Sequence, residues 1–244
     1  MAENTESRSP GFAKLDAVII DVPDVQASAA FWTELMGAHV EQEESDGWLT
    51  LGTPDGWSIA FQPAPNLIAP QWPGQDRPQQ VHLDLQVADL AAETSRAVGL
   101  GAMLLRENDT WNTLADPAGH PFDLCLAEGT SGVTVMGVNV DCPDSHALAG
   151  FWSDLLGDPI TYDADGMAML GGDKPLLFQQ VDGYNPPAWP DPERPQQLHL
   201  DLLVRDLDAG EAAVLELGAT RLPGGGTSFR VFADPAGHPF CLIG

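Results

Sequence analysis

Arg77-Pro-Gln-Gln-Val-His-Leu-Asp-Leu85 returns as Arg194-Pro-Gln-Gln-Leu-His-Leu-Asp-Leu202 with a single substitution. Ala115-Asp-Pro-Ala-Gly-His-Pro-Phe122 returns unchanged at Ala233 to Phe240. Asp21-Val-Pro-Asp24 followed by Phe31-Trp32 answers Asp141-Cys-Pro-Asp144 followed by Phe151-Trp152. Three motifs displaced by nearly the same interval, about 120 residues, and present only twice, describe a duplicated domain and not a solenoid. The expected boundaries are a disordered polar leader over 1–11, a first domain over 12–127, a small polar linker over 128–132 and a second domain over 133–244.

Inside the first copy the apolar pattern switches period. Leu15 to Val22 is β-rich and alternates, Pro23-Asp24 interrupts it, and Val25 to Met36 places Ala29, Phe31, Trp32, Leu35 and Met36 at helical spacing before Gly37. Strands are expected at Trp48–Leu51 and Trp57–Gln62, then at Val81–Val87, with a helix over Leu90–Leu100 and further strands before Cys125. The second copy repeats the plan, with strands at Val135–Asp141 and Leu198–Val204 and helices at His146–Leu156 and Leu207–Leu217. Each copy therefore reads as two βαβββ-like modules, an α+β class.

Charge and cysteine content narrow the partners. Thirty-six acidic residues against ten Lys and Arg give a net charge of −26, spread along the chain, so nucleic acid and anionic membrane are poor partners. No apolar run approaches the length that spans a bilayer. Cys125, Cys142 and Cys241 form no CxxC pair, which argues against a disulfide framework or a zinc knot and for a reducing, cytoplasmic setting. The expected partner is a small molecule, and the expected assembly a monomer or homodimer.

The strand with its Asp-Val-Pro-Asp turn and Phe-Trp helix, the His-Leu-Asp-Leu strand and the Asp-Pro-x-Gly-x-x-Phe turn together resemble the glyoxalase/bleomycin-resistance/dioxygenase superfamily, the vicinal oxygen chelate fold. The His-Leu-Asp-Leu and Phe-Cys-Leu endings look like its actinobacterial branch. The resemblance implies two tandem glyoxalase-like domains, each of two paired βαβββ modules enclosing an open cleft, often with a divalent metal. Whether such a cleft closes within one chain is open at this point. Family ligands sit on the first and last strands of each module, and in this chain the first-strand positions are Ala17 and Gly137, which bind no metal. The remaining positions offer Gln62, His82 and Asp123 in copy one, and Gln179, His199 and Cys241 in copy two. The metal set implied is Gln62, His82 and Asp123, for Zn, Fe, Mn or Ni, with a metal-free protein as the alternative. One histidine per site disfavours extradiol ring cleavage, and the absent glutamates disfavour glyoxalase I chemistry.

The residues themselves add ligand-binding candidates. His82 and Asp84 lie two apart on a strand, as do His199 and Asp201, so each pair shares a face opposite the leucines. Trp72 and Trp189 lie in long Pro-rich connections suited to closing over a cleft, and Arg77 and Arg194 are cations in a chain with few. Trp48 and Trp57 are further aromatic candidates for a cleft wall, whereas His120 and His238 read as turn residues and Phe31-Trp32 and Phe151-Trp152 as core. Two functions stay open: a binding protein that sequesters or transforms a small, partly apolar metabolite or antibiotic, and a metal-assisted lyase or isomerase.

Overall fold

The computed structural model describes residues 11–189, 191 and 196–244, so the leader and Arg194 lie outside the described residues. The first copy supplies β1 (Ala13–Val22), α1 (Val25–Met36), β2 (His39–Glu43), β3 (Leu49–Gly52) and β4 (Ser58–Pro63), then β5 (Val81–Val87), α2 (Leu90–Leu100), β6 (Met103–Glu107), β7 (Trp111–Ala115) and β8 (Pro121–Leu126). The second supplies β9 (Thr134–Cys142), α3 (Ser145–Leu156), β10 (Ile160–Ala164), β11 (Met167–Leu170), β12 (Leu176–Gln180), β13 (Leu198–Val204), α4 (Leu207–Glu216), β14 (Thr220–Gly225), β15 (Phe229–Ala233) and β16 (Pro239–Ile243). Among the described residues all four helices open on an aspartate N-cap, Asp24, Asp89, Asp144 and Asp206, whose carboxylate accepts from the backbone N–H three residues on. This is the physical content of the recurring aspartate after each first strand. The strand β2, which sequence periodicity does not reveal, is exposed along its whole length and carries no buried face to betray it.

The strands assemble into two sheets of eight, ordered β14-β15-β16-β13-β1-β4-β3-β2 and β10-β11-β12-β9-β5-β8-β7-β6. Each sheet takes one module from each copy. In the first sheet β1 runs antiparallel to β13, with Ile19 opposite His199 and Ala17 opposite Asp201. In the second β5 runs antiparallel to β9, with His82 opposite Asn139 and Asp84 opposite Gly137.

The helices tie the two sheets together, each within its own copy. Trp32 of α1, on the first sheet, packs edge-on against Phe122 of β8, on the second, and its indole N–H donates to Asp116. Trp152 of α3 does the same with Phe240 and Asp234. One apolar core therefore runs through the helix-bearing sides of both sheets, and both Trp side chains are fully buried in it. Asp116 also accepts from the backbone N–H groups of Ala118 and His120, and Asp234 from those of Ala236 and His238, so the unchanged eight-residue repeat is a turn whose aspartate anchors a helix tryptophan. Gly119 and Gly237, at φ of 96° and 99°, supply the left-handed step that turn needs. Among the described residues no helix is long and apolar enough to cross a membrane.

Candidate functional site

Alternation along β5 and β13 turns leucines to the helices and the His-x-Asp pairs to the opposite, helix-free face. On the first sheet that face lines a cavity of about 520 Å³, bounded by Trp48, Trp189, Phe229, Val231 and Ile243, with Gln62, Gln196, His199, Asp201, Ser228 and Cys241 among its polar groups. Ala17, Ile19 and Ala60 form a small apolar cluster on the same face, against which Trp48 packs. On the second sheet the positions answering Ile19, Val231 and Cys241 are Asn139, Thr113 and Asp123. There the Asn139 side-chain amide donates to Asp84 Oδ2 at 3.2 Å.

The ligating atoms of His82, Asp84 and Asp123 lie within 4.8 Å of one another, and so do those of His199, Asp201 and Cys241. In each group polar atoms are buried without a hydrogen-bond partner: Nδ1 of His82, Oδ1 of Asp84 and Oδ1 of Asp123 in one, Nδ1 of His199 and Oδ1 of Asp201 in the other. His82 Nε2 lies 3.2 Å from Asp84 Oδ1, an ionic contact off the line of a hydrogen bond. The matching contact of His199 with Asp201 is 3.5 Å.

Equal burial has opposite outcomes in the two groups. Desolvation disfavours a charged His82, but the carboxylates of Asp84, Asp123 and Asp141 outweigh it and raise the ring to about 9. Asp123 and Asp141 are themselves raised by burial and partly relieved by His82. On the first sheet burial acts on His199 unopposed and lowers it to about 4, while it raises Asp201 to about 6 against the hydrogen bond from Cys241.

Gln62, grouped from sequence with His82 and Asp123, belongs to the other sheet and lines the cavity beside His199 and Cys241. The cause is the exchange of modules: β4 follows β1 into the first sheet, while β5 and β8 go to the second. The third donor near His82 and Asp123 is Asp84. Its register explains why. Asp84 stands opposite Gly137, where a Cβ would come within 2.5 Å of Leu177, so the paired strand brings a carboxylate beside a first-strand position that is sterically closed. The signal was present in the His-x-Asp spacing, but only the strand pairing reveals it.

The other candidates divide. Trp189 lines the first cavity. Trp72 carries the guanidinium of Arg106 at 4.5 Å from its ring, a cation that sequence reading passed over. Arg77 is exposed, and its carbonyl accepts from Gln71. Trp57 is buried in the core and not in a cleft wall. His120 and His238 are buried between elements, the first bonded to the Asp21 carbonyl, the second to Asp234 and the Tyr184 hydroxyl.

The family described as glyoxalase-like domain matches residues 17–125 and 137–243, both copies. The chain belongs to the glyoxalase-like family. Glyoxalase I from Zea mays superposes with a TM-score of 0.65 at 17% identity, over 95% of this chain and 92% of that one. A candidate dioxygenase from Bacillus subtilis gives 0.64 at 11% identity, over 96% and 86%. These similarities show the shared fold. No curated protein sequence matches this glyoxalase-like chain.

Proposed function

We propose that this glyoxalase-like protein binds a small, partly apolar molecule in the cavity of the first sheet, sequestering or transforming it there. The observation that carries the reading is the lining: two tryptophans and three further apolar side chains enclose about 520 Å³ above a floor with a neutral imidazole and two primary amides. Such a wall favours an aromatic or alicyclic body, and His199, Gln62 and Gln196 offer hydrogen bonds to one or two oxygens on it. Trp48 and Trp189 report occupancy. Titration with a panel of small aromatic and alicyclic alcohols, ketones and acids should give saturable quenching that is weakened in Trp48→Phe, Trp189→Phe and His199→Ala. Saturable binding untouched by all three substitutions would place the ligand elsewhere and end this reading.

A second reading, a metal-assisted lyase or isomerase, is favoured by the second sheet. His82, Asp84 and Asp123 fit a divalent ion of the Mn, Fe, Ni or Zn kind, because one imidazole and two carboxylates converge with unpartnered oxygens. When bound, such an ion polarises a substrate oxygen. Around it Asn139 orients Asp84, and Arg106, held on Trp72 near Asp123, offers a positive group to an anionic substrate. Metal content of wild type against His82→Ala, after purification without chelator, tests it. Equal metal in both would remove the second sheet from consideration.

A further inference from the structure

Trp72 and Trp189 hold the same place in the two copies, yet among the described residues the first alone carries a cation on its ring. On the second sheet Arg106 stands opposite Thr113 in the pairing of β6 with β7. Its guanidinium lies 4.5 Å from the centre of the Trp72 ring and within electrostatic reach of Asp123. On the first sheet Val231 answers Thr113, and the strand facing it bulges. Arg221 stands opposite Phe232 and Gly225 opposite Arg230, so Leu222, Pro223 and Gly224 together take the place of Arg106. Gly224, at φ of 97°, lies against Trp189, where an added Cβ would be 3.5 Å from the ring. The cation at the base of the bulge is turned away: Arg221 lies over Phe232, donates to the carbonyls of Leu222, Gly224 and Val231, and faces Glu211 of α4.

The exchange leaves an aromatic face without its guanidinium in a cavity where a carboxylate persists. Asp201, the counterpart of Asp84, lines the same cavity as Trp189, and its Oδ1 is buried without a hydrogen-bond partner. Among the described residues no Lys or Arg lines that cavity, in a chain of net charge −26. A planar cation meets both features at once, its face on the indole and its N–H groups toward the carboxylate, as Arg106 does on Trp72 beside Asp123. An anion would meet like charge with no counter-charge. We propose that the cavity of the first sheet selects a planar organic cation, of the amidinium, guanidinium or protonated aminoheterocycle class, which stacks on Trp189 as Arg106 stacks on Trp72. This inference rests on the reading of that cavity as a ligand site and adds the charge of the ligand. The second sheet, on the same argument, is a copy in which the chain supplies its own cation.

The test uses the full chain at pH 8 and three probes of one size and shape, benzamidine, benzamide and benzoate, followed by tryptophan quenching and calorimetry. Wild type should bind the amidinium roughly tenfold tighter than the amide, and benzoate more weakly than either. Asp201→Asn should bring the amidinium down to the affinity of the amide, and Trp189→Leu should weaken the amidinium while keeping the far-ultraviolet circular dichroism of wild type. Arg106→Ala should uncover Trp72 and add a second benzamidine site, which Trp72→Leu in the same chain should remove. Benzamide or benzoate binding as tightly as benzamidine, a preference for the amidinium that survives both Asp201→Asn and Trp189→Leu, or an unchanged stoichiometry in Arg106→Ala would overturn the proposal while leaving the cavity a ligand site. Loss of the ligand-site reading would show differently, as no saturable quenching by these probes or by any neutral aromatic compound.

Discussion

The first and second sheets are floored by the same strand, His-Leu-Asp-Leu, yet one buries a neutral imidazole near 4 and the other a ring raised to about 9. Burial is alike, with both histidines almost completely enclosed. What differs is the company. Asp123 and Asn139 surround His82, where Cys241 and Ile19 surround His199. The comparison teaches that in a duplicated fold the residue carrying the chemistry can stay constant while its neighbours on adjoining strands decide its charge. The repeated turns and helix tryptophans, by contrast, have hardly diverged, because each is tied into one core.

That contrast can be broken first where the two halves should behave alike. Trp32→Ala and Trp152→Ala each remove a fully buried indole and its bond to Asp116 or Asp234, and each should cost about 3–5 kcal/mol in denaturant unfolding. Costs that differ by more than about 2 kcal/mol would show that the halves are not equivalent supports.

The next effect separates the sheets by sign. His82 is raised from 6.5 to about 9, so its contribution is complete below pH 6.5 and is lost as pH rises toward 9. His199 is lowered to about 4, so its contribution is present above pH 6.5 and is lost as pH falls toward 4. Each shift corresponds to roughly 3 kcal/mol. In metal-free protein, imidazole resonances followed by NMR should titrate in opposite directions from the free value, and His82→Gln and His199→Gln should flatten the alkaline and the acid limb of stability respectively. Two rings titrating together near 6.5 would refute the electrostatic difference.

A smaller effect sharpens its cause. Asn139→Ile, which gives the second sheet the residue of the first, leaves Asp84 Oδ2 without its amide donor and should cost about 1–3 kcal/mol by thermal unfolding. A variant as stable as wild type would mean that the amide contributes nothing to holding that carboxylate. The smallest effect is at the rim. Arg106→Gln removes the cation from Trp72 and should cost at most about 1 kcal/mol. The same substitution should shift Trp72 emission, and an unchanged spectrum would place the guanidinium off the ring in solution.

Much of this was legible in the sequence, and the reason for the remainder is specific. Helix starts were readable because an aspartate cap and the periodicity after it are local. The shared face of His82 and Asp84 was readable from strand alternation alone. Which strand lies beside which was not, because β5 and β13 carry nearly the same residues and either satisfies the edge of β1 equally well by pattern. That ambiguity displaced Gln62 from its true neighbours, His199 and Cys241. It also hid the role of Asp84, which depends on standing across from Gly137. The strand β2 escaped for the opposite reason, since a wholly exposed edge has no apolar rhythm.

The exchange of modules between copies has a consequence for how such a protein can be recombined. A chimera made by cutting at the linker and swapping whole copies between two related chains would split both floors at once, joining half of each to a stranger. A graft of 13–63 together with 198–243 would instead carry one complete floor, although those segments lie at opposite ends of the chain. The heritable unit of a site here is a pair of distant segments, so divergence in one copy is felt in both clefts.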